Sequence, residues 1–297
     1  MPKKIYGSQC VLLTPLNEDE TIDKQSTKRL IDYVITNGVH GVLAQSTTGE
    51  AFLFDTDERK TCLDLALEYV DGRTPVGFTV ESPSTAISVD LAKYAEKAGA
   101  DYLFTTAPYR VPHTGAGIYE HFKAINDAVN LPILIYDGGA GIEFGLDLYA
   151  KISENLQNIK YSKIFVEKPG KIPMITEATQ GKIIPWAGHD RCFYQMLLYG
   201  ASGMTSACSC IVPGEITNIV DYIQAGEIEK AREIYLKTVC PLTNIAVYSV
   251  LDFIACYKMA LYFMGIITTP TVRKPLMPLN STMQTEIREA LKFIGKL

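Results

Sequence analysis

A cation inside a β-like run calls for a reason, and Lys163 sits in one, NIKYSKIFV at 158–166. Alternation places Tyr161 and Ile159 on its face of the strand. Facing the interior of a closed sheet, the ammonium would lose hydration and its pKa would fall. The neutral amine could then attack a carbonyl carbon, as Schiff-base catalysis requires. Facing outward, Lys163 would make a salt bridge to the helix layer, as Lys160 or Lys168 would, and alternation leaves both orientations open. Tyr136 ends the run PILIY. A phenol there could shuttle protons between carbonyl oxygen, amine and leaving group if its pKa were lowered, or it could simply plug a barrel. In QSTTGE, the hydroxyls of Thr47 and Thr48 and successive backbone N–H groups could hold a carboxylate, although a Ser/Thr-capped turn needs no ligand.

Other chemistries have less behind them. The histidines, at 40, 113, 121 and 189, lack HxH or HExxH spacing, so no metal site is expected from them. Cys208 and Cys210 in SACSC could join His189 on a metal, but buried small thiols are the simpler reading. Seven scattered cysteines form no disulfide framework and point to reduced thiols in cytoplasm. A net charge of −5 with interspersed signs offers no basic stripe for nucleic acid or an anionic membrane. The opening residues do not read as a signal peptide, and no apolar run reaches the ~18 to 20 residues of a membrane span.

The elements that would position these residues alternate along the chain. Apolar, β-branched runs (CVLLTP, HGVLAQ, PVGFTV, DYLFTTAP, PILIYD, IKYSKIF, KIIPWAG, GMTSACS) are separated by segments with apolar residues three and four apart. Several of these segments end in a glycine before the next run, as in ITNGVHGVL, EKAGADYLF and LLYGASGMT. Eight such units, the last helix starting near Pro213, predict an α/β fold of TIM (β/α)8 type over residues 6–225. A helical C-terminal portion over 226–297 should pack on its flank or across its mouth. An open doubly wound sheet is the alternative, but no GxGxxG follows the first strand. In a barrel all strands end at one face. That filter gathers Ser46, Thr47, Thr48, Gly49, Glu50, Tyr109, Arg110, Tyr136, Asp137, Lys163, Gly188, His189 and Asp190.

Together, STTGE after strand two, Tyr136 ending strand five and the lysine of IKYSKI on strand six resemble the dihydrodipicolinate synthase and N-acetylneuraminate lyase family. The opening GSQCVLLTPLNEDETID, TAPYRVP, GHDRCFYQMLLYGASGMTSA and the closing KPLMPLNSTMQTEIREALKFIGKL extend the resemblance over nearly the whole chain. It implies Lys163 as the Schiff-base lysine for pyruvate or another 2-oxo acid and Tyr136 as the proton-relay phenol. Thr47 and Thr48 would be carboxylate ligands, with Thr47 also linked to Tyr136, and Thr205 a further substrate contact. Gly49 would serve the turn and Glu50 the structure. It also implies a homotetramer with neither metal nor organic cofactor. Two positions depart from the lysine-pathway synthases of that family. Arg110 replaces a second tyrosine after PY, and Gly141 stands where an arginine binds the aldehyde's carboxylate. Both argue against the lysine-pathway activity. The first reading is then a lyase joining or splitting pyruvate and an aldehyde, of sugar-acid type, with Arg110 meeting an anionic group. The alternatives are a 2-oxo acid dehydratase or deaminase, 4-hydroxy-tetrahydrodipicolinate synthase itself, and a non-catalytic keto-acid-binding barrel.

Overall fold

Short runs rich in β-branched and aromatic residues form eight parallel strands: β1 Gly7–Val11, β2 Gly41–Ala44, β3 Val76–Thr79, β4 Tyr102–Thr106, β5 Ile133–Asp137, β6 Ile159–Ile164, β7 Ile184–Ala187 and β8 Gly203–Ser206. In this computed structural model, which describes residues 3–110, 113–245 and 252–297, each strand pairs with its sequence neighbours and β8 closes on β1. The connections are α1 Lys24–Thr36, α2 Thr56–Val70, α3 Thr85–Ala98, α4 Gly115–Ala128, α5 Leu146–Asn155, α6 Lys171–Ala178, α7 Phe193–Leu198 and α8 Pro213–Gln224. This is the expected barrel. The glycines at 38, 99 and 200 hold the left-handed conformation at the helix ends.

Alternation along the strands makes two apolar layers. Val11, Leu43, Phe104, Leu134, Tyr136 and Trp186 fill the barrel, while Ile133, Ile135 and Ile164 pack outward against the helices. One expectation fails here. The ladder between β5 and β6 pairs Ile133 with Ile159 but Leu134 with Tyr161, so Lys160 is an extra, exposed residue. That bulge resets the parity. Tyr161 shares the inner face with Lys163, whereas Ile159 packs in the outer layer.

After Gly226 the described residues hold helices and turns without a strand: α9 Ile228–Ile234, a π-helical turn at Tyr235–Val239, α10 Cys240–Ile245, α11 Asp252–Phe263 and α12 Ser281–Phe293. Thr243, Phe253 and Tyr257 from this portion reach the cavity at the barrel mouth. The C-terminal portion expected to be helical includes 246–251, which lie outside the described residues, as do Val111 and Pro112 of PYRVP. No helix among the described residues is long and apolar enough to cross a membrane.

Candidate active site

The C-terminal ends of the strands surround a cavity of about 690 Å³, and Lys163 lies at its wall. Lys163 is the register partner of Tyr136 across β5 and β6 and is 6% exposed. Its Nζ sits 4.4 Å from the centre of the Tyr136 ring, with Phe104 and Phe165 at 5.5 and 5.9 Å. Burial among these rings lowers the lysine pKa to about 8, against the opposing pull of the Asp190 and Glu81 carboxylates. The fraction of neutral amine near neutral pH is therefore far larger than for an ordinary lysine. Gly188 permits this placement, because a Cβ there would lie 2.3 Å from Lys163 Cγ.

Tyr136 faces the same space, between Phe104 and Phe165. Burial, with the Glu81 and Asp190 charges behind it, pushes its pKa well above the ordinary phenol value. The lowered pKa expected of a proton-shuttling phenol is not what the site produces; it does the reverse. Tyr136 is held as a neutral phenol, a proton donor.

Thr47 and Thr48 line the cavity on a 3₁₀ turn, Thr47–Gly49, that follows β2. The expected direct link from Thr47 to Tyr136 is not formed among the described residues. The positive φ angles of this turn fall on Gln45 and Glu50, at 58° and 62°. Gly49 is needed for close approach, since a Cβ would stand 3.0 Å from the Leu12 carbonyl oxygen and 3.2 Å from Thr14 Oγ1. Glu50 is structural, as expected. Fully buried, it ion-pairs with the fully buried Lys258 and accepts the Arg273 N–H at 2.7 Å. Thr205 lines the cavity from β8, its buried hydroxyl without a hydrogen-bond partner among the described residues.

The strand-end filter is right for Gly188, His189 and Asp190, all at the cavity. Asp190 accepts from Ser206 Oγ at 2.6 Å and the Cys208 N–H at 3.3 Å, and burial raises its pKa. Burial also lowers the pKa of His189, whose Nε2 lies 3.3 Å from Glu167. The filter is wrong for Asp137, which turns outward, away from the barrel interior. There it meets Lys171 at 2.7 Å, the Tyr149 hydroxyl at 2.8 Å and the Phe144 N–H at 2.9 Å. Arg110 is exposed and does not line the cavity, although its neighbour Tyr109 does. Lys168 pairs with Glu143 at 2.7 Å. Cys208 bonds the Tyr257 hydroxyl at 2.8 Å and Cys210 lies 3.6 Å from Cys10, so neither is turned with His189 toward a shared ion. Sequence reasoning missed Glu81, which lines the cavity two residues past β3; the same strand-end filter, applied to VGFTVES, would have found it.

The chain matches the Dihydrodipicolinate synthetase family over residues 4–294. It is 34% identical over 288 residues to the 4-hydroxy-tetrahydrodipicolinate synthase of Caldicellulosiruptor bescii, covering 96% of this chain and 94% of that one. With the enzyme of the same name from a Sulfurihydrogenibium species it shares 30% over 298 residues, 97% of each chain. The fold superposes on the dihydrodipicolinate synthase of Thermotoga maritima with a TM-score of 0.92 at 29% identity, over 98% of this chain and 99% of that one. It fits a monomeric dihydrodipicolinate synthase variant equally well, at 0.92 and 29% over 99% and 98%.

Proposed function

Because the chain belongs to the dihydrodipicolinate synthetase family, and with it to the lyases of class I aldolase type, we propose that it joins or splits a carbon–carbon bond between pyruvate and an aldehyde through an imine on Lys163. One observation carries this reading: a lysine with its pKa brought to about 8 faces a neutral phenol in a cavity at the barrel mouth. The neutral amine attacks the keto carbon, and the Tyr136 hydroxyl protonates the departing carbinolamine oxygen. Thr47, Thr48 and the unpartnered hydroxyl of Thr205 receive the keto-acid carboxylate. The carbon–carbon bond is made or broken by the enamine that the Lys163 imine provides, and the remaining steps are proton transfers and carbon–nitrogen exchange on groups the chain supplies, so this chemistry calls for neither metal nor organic cofactor.

Between acceptors, the names of the relatives favour 4-hydroxy-tetrahydrodipicolinate synthase activity. A sugar-acid lyase is the second reading, supported by the cavity itself. Gly141 has no side chain to bind an acceptor's carboxylate, Arg110 stands outside, and Glu81, Glu167 and Asp190 line the walls. An anionic group is the acceptor feature such walls favour least. We further propose a homotetramer, in which the exposed Arg110 loop meets another copy. Light scattering of the active enzyme tests this, and a fully active monomer would end it.

The deciding experiment has two stages. Borohydride trapping with pyruvate, read by peptide mass, should place the adduct on Lys163; an adduct elsewhere rejects the mechanism. Turnover of pyruvate with aspartate semialdehyde is then compared with turnover with neutral hydroxyaldehydes. A kcat/KM on the order of 10⁵ M⁻¹s⁻¹ with the semialdehyde establishes the synthase. A value lower by ~10 to 200-fold than with a hydroxyaldehyde, the worth of one lost charge-assisted contact, establishes the lyase.

A further inference from the structure

Three carboxylates line the cavity, and two of them are engaged. Asp190 accepts from Ser206 and Cys208, and Glu167 lies against His189. Glu81 differs. Its side chain is 6% exposed, opens to the cavity, and has no hydrogen-bond or ion-pair partner among the described residues. Arg59, from α2, fixes the backbone beneath it, donating to the carbonyl oxygens of Glu81 at 2.9 Å and Thr79 at 2.6 Å. The charged and titratable groups around Glu81 are Arg59 from α2, Tyr109 beyond β4 and Lys163 on β6, with Tyr136 feeling its charge from β5. A buried carboxylate held in place by its backbone and left without a partner is costly to fold unless substrate uses it.

The imine chemistry contains a task for it. Once a keto acid is joined to Lys163, a proton must leave the carbon next to the imine before a new bond can form there. Tyr136 spends its proton on the departing oxygen, and its raised pKa drives the phenolate to recover one from water, which leaves the carbon proton to a second group. We propose that Glu81 is a catalytic residue, the base that removes this proton. The Glu81 carboxylate accepts the proton from C3. The imine nitrogen carries a proton at this stage; the C3–H electron pair becomes the C2–C3 double bond, and the π pair of the protonated imine returns to nitrogen. The product is a neutral enamine beside a neutral Glu81 carboxyl, which returns the proton when C3 is reprotonated. Burial supports this role by raising the Glu81 pKa, which strengthens the carboxylate as a base.

This inference rests on the Lys163 imine, and the test separates the two. Wild type, Glu81→Gln and Glu81→Asp are incubated with pyruvate in D₂O. Loss of the methyl signal is followed by NMR, and imine is measured in parallel by borohydride trapping. Glu81→Gln should trap pyruvate on Lys163 within several-fold of wild type but exchange the methyl protons ~10² to 10⁴-fold more slowly. Glu81→Asp should recover part of the exchange. Trapping by Glu81→Gln with exchange at the wild-type rate overturns the assignment. Should Glu81→Gln fail to trap, Glu81→Asp decides: trapping with slowed exchange supports the base, and trapping with undiminished exchange rejects it. Absence of trapping in the wild type would bring down the imine reading itself.

Discussion

Lys258 and Glu50 form an ion pair from which solvent is wholly excluded, joining α11 to the turn that carries Thr47 and Thr48. Glu50 faces away from the chemistry, yet its left-handed backbone sets the path of that turn. A buried charge that loses its partner is destabilising by about 3 to 5 kcal/mol, whereas removing both charges is far milder. Lys258→Met should therefore lower the urea midpoint strongly, and Glu50→Gln added to it should recover most of the loss. Equal midpoints for the single and double variants would show that the pair is not coupled.

The pKa of Lys163 makes imine formation rise with pH. Its rate with pyruvate should climb through about pH 8 and then level off, as the amine loses its proton. The same shift has a sign for stability. An ammonium whose pKa falls from 10.5 to about 8 on folding binds protons better in the unfolded chain. Its burial therefore opposes folding below pH 8, and that penalty is relieved between about 8 and 10.5. Lys163→Met should accordingly abolish trapping and raise the melting temperature at pH 7. A melting temperature that drops instead would mean the ammonium is better accommodated than its surroundings indicate.

Tyr136→Phe keeps the ring against Phe104 and Phe165 and removes only the donor. Pre-steady-state trapping should show imine formation slowed by ~10² to 10⁴-fold with pyruvate binding retained. Since burial raises the phenol's pKa, wild-type trapping should show no decline from tyrosine ionisation across the working pH range. A variant that traps at the wild-type rate removes Tyr136 from the relay.

Gly188→Ala tests placement without touching a functional group. Its Cβ would stand 2.3 Å from Lys163 Cγ and 2.5 Å from Cε, so the lysine stem must move. Displacement of about 1 Å can cost ~10²-fold, and a loss of that order in trapping is expected with the circular dichroism unchanged. Undiminished trapping would show that the stem has a second productive path.

The barrel was legible because its signals are local: runs of period two, helical stripes, and glycine at helix ends. Lys163, Tyr136, Thr47 and Thr48 were legible because strand ends converge. The errors share a cause, which is that orientation depends on pairing. Nothing in IKYSK marks Lys160 as an extra residue, since a bulge is defined by the partner strand. Asp137 follows Tyr136 directly, and only the Lys171 and Tyr149 side chains that receive it reveal that it turns outward. The Tyr136 pKa has its sign fixed by burial and by two acids just beyond β3 and β7, neither near it in sequence. Glu50 finds its counter-charge more than two hundred residues away.

That last separation also orders events in time. A ribosome releases the STTGE turn early and Lys258 only after all eight strands have emerged, so a barrel that closes during synthesis holds Glu50 without its counter-ion. Thr243, Phe253 and Tyr257, which complete the cavity wall, arrive equally late. The nascent barrel is thus a fold without a finished site. Its competence to bind a keto acid should appear in one step, when α11 docks and supplies the missing charge.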